Sequence, residues 1–325
     1  MNLPNLPAPQ PARRRALVRA GGLGAAVLLA PWLAACGGGD SDDSFTITAN
    51  VRSDGDFTIL TEALVASGLD ATLDGGGPFT VFAPTDAAFA ALLTELGLTK
   101  AQLLADRALL TTVLTYHVLP QRVDRAAVPA GRAITTVQGG VFKVEANNAV
   151  LTITDGRNRT SRITATDRAT SNGVIHTIDR VLLPANRNIV QTAIGAAPEF
   201  SVLVEAVVAA NLQGALSGTG PLTVFAPTNA AFTALLAELG LTKAQLLANT
   251  ALLTSVLTYH VVSGRVLKAD IVPGTPVTTL QGQRFTVGSD LFITDARTRR
   301  AQIVGTDLFT SNGVIHTIGR VILPA

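Results

Sequence analysis

The chain has 325 residues, enough for two domains of ordinary size, each able to bury a core without staples, and 47% apolar with 15% charged residues agrees with packed domains. The formal net charge of +2 comes from the leader, where Arg13, Arg14, Arg15 and Arg19 precede Cys36 and no acidic residue does; removing those 4 from 25 basic residues leaves 21 against 23 acidic ones. A slightly acidic remainder lacks the concentrated positive surface that displaces counterions from phosphate, so a nucleic-acid partner is excluded.

The leader reads as an export signal over residues 1–35. RRRALVRA is followed by GGLGAAVLLAPWLAA, too short to span a bilayer and broken by Pro31. Arg14-Arg15-Ala16-Leu17-Val18 resembles the twin-arginine export pattern, with a simple basic n-region as the alternative. The segment ends in LAAC, and Cys36 is the only cysteine. LAAC resembles the lipobox of bacterial lipoproteins, in which that cysteine is acylated and becomes the new N-terminus. A thiol without a disulfide partner, placed before the glycine- and serine-rich tether at 36–43, suits a lipid anchor. Each buried methylene would add about 0.8 kcal/mol of membrane affinity. Gly37 after the cysteine resembles lipoproteins sorted to the outer membrane; which face the protein occupies stays open.

Beyond the tether the chain aligns with itself. Phe57 falls on Phe200, Phe82 on Phe225 and His117 on His260 at a shift of 143; after Phe142 the shift becomes 140, placing His176 on His316. A unit of this length is a domain rather than a solenoid repeat, giving domains at 44–184 and 187–325. Within the first unit, FTILTEALVASGL predicts a helix ended by Gly68, and GPFTVFAP a buried strand stopped by Pro84. TDAAFAALLTELG is a helix capped by Thr85 or Asp86, and Thr99 with Gln102 forms a capping box for the next. DRALLTTVLTYHV predicts a longer helix. After Pro120 the pattern turns to strands: TTVQGGVFKVE, AVLTIT, a polar turn at DGRNR, then SRITATD and GVIHTIDRVLLP. Helices in the middle and strands in the second half indicate α+β, not a parallel α/β sheet.

TVFAPTDAAF, the Tyr116-His117 pair and SNGVIHTIDRVLLP, all matched in the second copy, resemble the first conserved segment, the central Tyr-His motif and the closing segment of the fasciclin domain. The resemblance covers nearly all of the mature chain. It implies two tandem wedges, each a β-sandwich packed against a small helical group. It also implies a role in adhesion or extracellular interaction, with no catalysis established for the family.

Several residue types invite chemistry. His117, His176, His260 and His316 lack the short ligand spacing of a metal site, with about 60 residues between the two of each copy, and the structural reading of buried rings bound to backbone is favoured. Asp86 is matched by Asn229, and Asp106 by Asn249; Asp and Asn both accept from helix amides, whereas only Asp takes a proton, so capping explains both exchanges. Thr85, Thr228, Tyr116 and Tyr259 are read as structural members of the same motifs. GxSxG, HExxH and phosphate-loop signatures are missing, so no catalytic residue, metal or cofactor is expected. The sequon Asn158-Arg159-Thr160 is read as chance. At the polar turns, Arg157 and Arg159 pair with Arg297 and Arg299, and Arg300 adds a third; exposed at hairpin tips, these are candidates for gripping an anionic partner. The expected function is a membrane-anchored, non-enzymatic interaction module binding a surface protein or polysaccharide. A small-ligand carrier, or an enzyme acting on envelope polymers, is the alternative.

Overall fold

The computed structural model describes residues 45–147 and 150–325; the export signal, Cys36 and the tether lie outside the described residues. In the first copy α1 (Ile47–Ser53), α2 (Thr58–Ser67) and α3 (Asp70–Leu73) precede β1 (Phe79–Pro84), which leads into α4 (Asp86–Leu96), α5 (Lys100–Ala105) and α6 (Arg107–Tyr116). Six strands follow: β2 (Val118–Leu119), β3 (Ala133–Thr135), β4 (Val141–Asn147), β5 (Val150–Thr154), β6 (Thr160–Thr170) and β7 (Gly173–Ile178). The second copy repeats this with α7 (Ile189–Gly195), α8 (Ser201–Ala209), α9 (Gln213–Ser217), β8 (Leu222–Pro227), α10 (Asn229–Leu239), α11 (Lys243–Ala248) and α12 (Thr250–Tyr259). It closes with β9 (Val261–Ser263), β10 (Pro276–Thr278), β11 (Arg284–Val287), β12 (Phe292–Thr294), β13 (Arg300–Thr310) and β14 (Gly313–Ile318).

The architecture is α+β, and the local signals act where the sequence puts them. Thr85 Oγ1 accepts from Ala88 N at the start of α4, Thr99 and Gln102 close a capping box on α5, and Gly68 ends α2 in the left-handed region at φ 76°. Pairing is less local. Each copy forms one seven-stranded sheet, ordered β2-β1-β7-β6-β5-β4-β3 and β10-β11-β12-β13-β14-β8-β9. β1 runs parallel to β7, from Phe79 opposite Gly173 to Pro84 opposite Ile178, so the first strand is inserted beside the last.

These sheets cannot be flat. Three strands separate β1 from β4, a spacing of roughly 19 Å in a plane. Yet the Phe82 and Phe142 rings meet edge to face with centroids 5.1 Å apart, as do Phe225 and Phe285. The bend comes from the long β6 and β13, whose registers against β7 and β14 shift twice each, and a β-bulge coils a strand locally. Each sheet therefore folds over itself into a sandwich filled by Phe82, Tyr116, Phe142 and Ile153, or Phe225, Tyr259, Phe285 and Ile293. The helices cover a second cluster on the other side of β1 and β8, around Phe89 and Leu110 or Phe232 and Leu253.

All four large clusters draw on one copy alone. A smaller one joins them: Val141, with Ala133 against it, packs on Leu267, Phe309 and Val314. Beside it Lys143 Nζ reaches Asp307 Oδ2 at 2.9 Å and Glu145 Oε1 at 2.7 Å, and both Lys143 and Asp307 are buried. Burial alone would push the Lys143 ammonium down; its hydrogen bonds to Glu145 and Asp307 outweigh that and hold it above the ordinary lysine range. Asn158 completes the seam, donating to the Phe309 carbonyl at 3.1 Å and accepting from its amide at 2.7 Å. The sequon asparagine is thus an interdomain clamp.

Removing one partner of a buried ion pair strands the other charge. Lys143→Ala is expected to lower the stability of the full chain by about 3 kcal/mol in urea denaturation, while Lys143→Met combined with Asp307→Asn recovers most of it.

Candidate functional site

The turn between β5 and β6 is built on a carboxylate. Asp155, 1% exposed, accepts at Oδ1 from the amides of Arg157 and Arg159, both at 2.9 Å. Its Oδ2 accepts from Arg159 Nε at 3.0 Å, Arg159 Nη2 at 2.7 Å and the Leu183 amide at 3.0 Å. The Arg159 fork goes on to Glu95 and to the Val181 carbonyl. Asp295, Arg299, Glu238, Val321 and Leu323 repeat the arrangement. The Tyr116 hydroxyl donates to the Val141 carbonyl at 2.6 Å and accepts from the Gly156 amide at 2.8 Å; Tyr259 does the same with Arg284 and Ala296. Burial first, and then the Asp155 charge, push the Tyr116 hydroxyl far above its ordinary range, so it serves as a neutral bridge.

This corrects the expectation of exposed tip arginines for Arg159 and Arg299, whereas Arg297 and Arg300 are exposed as expected. Arg159 and Arg299 side chains are only 13% exposed, and their donors are taken by carboxylates and carbonyls of their own domain. Arg297 donates from Nε to the Pro324 carbonyl at 2.8 Å. Arg300 is exposed but is paired with Asp290 and lies over the Phe292 ring at 4.2 Å. Arg157 is the one of the five whose Nε is both buried and without a partner. The sequence reading singled out the arginines and missed Asp155 and Asp295. Their signal was the matched aspartate opening both turns, DGRNR and DARTR.

The four histidines are bound at both ring nitrogens. His117 Nδ1 donates to the Val113 carbonyl at 2.7 Å, and Nε2 accepts from the Leu182 amide at 2.9 Å. His260 makes the same pair with Val256 and Ile322. In His176 and His316 the roles reverse: Nε2 donates to the Val123 or Val266 carbonyl, and Nδ1 accepts from the Asp167 or Asp307 amide. An amide aimed at one nitrogen requires a lone pair there, so each ring is neutral with both sites occupied. Burial is the main cause that lowers all four, His117 and His260 to about 4. Among the described residues no cluster of three His, Cys, Asp or Glu is placed to hold a metal.

Asp86 and Asn229 cap, though not the helices that they begin. Thr85 and Thr228 hold those ends. The Asp86 carboxylate instead accepts from the Ile59 amide at 2.8 Å and from the Thr58 hydroxyl, and Asn229 accepts from the Val202 amide at 3.0 Å. One position thus ties α2 to α4, and α8 to α10 in the second copy. Asp106 and Asn249 cap α6 and α12 as the exchange implies.

Comparison with known proteins agrees with this geometry. The fasciclin domain model matches residues 55–184 and 198–324, and the chain belongs to the fasciclin-domain family. It is 30% identical over 78% of its length to transforming growth factor-beta-induced protein ig-h3 of Sus scrofa, of which the match covers 35%. It is 45% identical to Protein sll1483 of Synechocystis sp. over 38% of this chain and 67% of that one. The chain thus spans about a third of the animal relative. Among solved structures it overlaps a FAS1 domain pair from the insect cell adhesion molecule fasciclin I at 18% identity, with 85% of this chain and 95% of that one covered. The TM-score of that overlap is 0.42, too loose to bear on how the two domains sit.

Two outcomes test the site. The unfolded chain protonates its histidines near 6.5 while folded His117 and His260 resist to about 4, so their contribution, about 3 kcal/mol each, is complete above pH 6.5 and drains between 6.5 and 4. Urea midpoints should fall across that window, and less steeply in His260→Gln. Arg159→Ala, which leaves Asp155 buried without its cation, is expected to cost about 3–5 kcal/mol, against under about 0.5 kcal/mol for Arg300→Ala.

Proposed function

We propose that this chain is a non-enzymatic interaction module of the bacterial cell envelope, anchored by lipid on Cys36 and presenting two fasciclin domains to a surface protein or polysaccharide. One observation carries the reading: the histidines, Asp86, Arg159 and Arg299 that invited chemistry are committed to backbone and neighbouring side chains within their own domains. What the fold leaves for function is its surface. Two like domains on one anchored chain can engage a repetitive partner with modest affinity each, because the second contact is made at high effective concentration. Export by the leader, release of residues 1–35 and sorting by Gly37 belong to the same proposal.

A small-ligand carrier with an apolar site inside one domain has one observation in its favour, a cavity of about 200 Å³ in the second domain under Phe232, Leu246 and Leu253. It falls short of the roughly 300–1,000 Å³ usual for ligand sites. The cavities beneath α2 and α8 are smaller still, about 40 and 30 Å³.

Fractionation of cells producing the wild type and Cys36→Ala tests the anchor, and capture of envelope components by the two forms tests the binding role. The wild type should sediment with membranes and Cys36→Ala should not. Equal partitioning of the two forms, or a native mass that retains the first 35 residues, contradicts the anchor; failure to retain any protein or polysaccharide contradicts the binding role.

A further inference from the structure

The two copies provide an internal control for every buried charge. Arg122 donates from Nε to Asp124 and from Nη1 to the Gly173 carbonyl. Its counterpart is Arg265, but the position of Asp124 is taken by Leu267, which is buried in the seam against Val141. Arg265 has a buried Nε with no partner. Arg157 shows the converse loss. Its counterpart Arg297 is satisfied by the Pro324 carbonyl, whereas Arg157 Nε finds no acceptor, and the matching Pro184 leads on into the connection to the second domain. Both arginines are satisfied in the copy that turns them elsewhere and unsatisfied where the two domains meet. Burial lowers the pKa of each; at Arg157 the neighbouring Arg159 adds to this, and the Asp155 and Glu95 carboxylates offset it only in part. A buried Nε without an acceptor on a half-buried arginine is costly, which asks for an explanation from outside the chain.

Space is present for one. Two cavities of about 340 and 330 Å³ lie along the seam and share Gly156 and Phe309 as walls. Arg265 lines the first with Gln138, Thr310 and Ser311; Arg157 lines the second. Gly156 is closely packed: a Cβ there would stand 2.3 Å from the Ala185 amide nitrogen, while the second copy carries Ala296 at that place. Guanidinium forks match planar or tetrahedral oxyanions, and the amide and hydroxyls of Gln138, Thr310 and Ser311 suit a polyhydroxylated body. Each volume lies within the usual range of ligand sites.

We propose that the seam between the two fasciclin domains binds an acidic saccharide, whose carboxylates or sulfates give Arg265 and Arg157 the acceptors that their counterparts find within the chain. This deepens the surface-binding reading and rests on it for the choice of a polysaccharide partner. It differs from a pair of independent sites, because neither domain alone supplies both arginines.

The test is calorimetric titration of the full chain in detergent with digalacturonate, with cellobiose as the neutral disaccharide and with inorganic sulfate, alongside melting temperatures. Digalacturonate should bind, and the other two should bind at least about tenfold more weakly. Arg157→Gln and Arg265→Gln should each weaken digalacturonate at least about tenfold, the loss of one charge-assisted pair of hydrogen bonds. Arg162→Gln, on the exposed side of β6, should not. Ligand-free melting temperatures of the two variants should be unchanged or raised. Absent binding to the wild type, full binding by both variants, sulfate binding as tight as digalacturonate, or lowered melting with lost binding would each overturn the proposal. Pure probes make this result independent of the capture experiment, so a failure here leaves the envelope-module reading standing.

Discussion

A short segment that leaves the sheet and runs through the core sets the terms for each domain. Residues 181–183 continue from β7 without strand partners, and they are buried. Their amides need acceptors where water cannot supply them. His117 accepts from Leu182 and Asp155 accepts from Leu183; His260 and Asp295 do so for Ile322 and Leu323. Two acceptors brought from distant parts of the chain therefore hold adjacent amides. A buried carboxylate is tolerated only with a cation and several donors, which brings in Arg159 and the turn amides, and through Gly156 the Tyr116 hydroxyl. The Tyr-His pair, the polar turn and the closing segment are parts of one knot.

That knot governs what the protein can do. A histidine that must offer a lone pair to an amide has none for a metal or a substrate proton, and an arginine wrapped around a buried aspartate does not reach a partner. The residues that the two copies share at these places are thus spent on closing the fold. Here the differences gather at the seam: Leu267 for Asp124, Phe309 for Ala169, Lys143 for Thr286 and Asn158 for Thr298. Four unlike residues turn two like domains into one compact unit.

The sequence made local structure readable because local rules act there. Caps at Thr85 and Thr99, the stop at Gly68 and the strand at Phe79–Pro84 follow from neighbours within a few residues. The short α1 and the two-residue β2 escaped, since neither carries a long periodic pattern. The parallel insertion of β1 beside β7 escaped for another reason: partners 94 residues apart leave no trace in spacing. The arginines were visible as a repeated cluster, but their exposure was inferred from turn composition, and the aspartate that buries two of them was overlooked. The interdomain clamp lay unread in Asn158 because its partner, Phe309, stands 151 residues away.

The closing segment commits His117 and His260 as neutral acceptors with fixed tautomers, and the Asp167 and Asp307 amides do the same for His176 and His316. Nitrogen chemical shifts of the four rings, recorded on the full chain with labelled histidine at about pH 6, test it directly. The geometry requires His117 and His260 to carry their proton on Nδ1, His176 and His316 to carry theirs on Nε2, and none to be charged. A ring that titrates as in a free peptide, or a proton on Nε2 of His117 or His260, would contradict it.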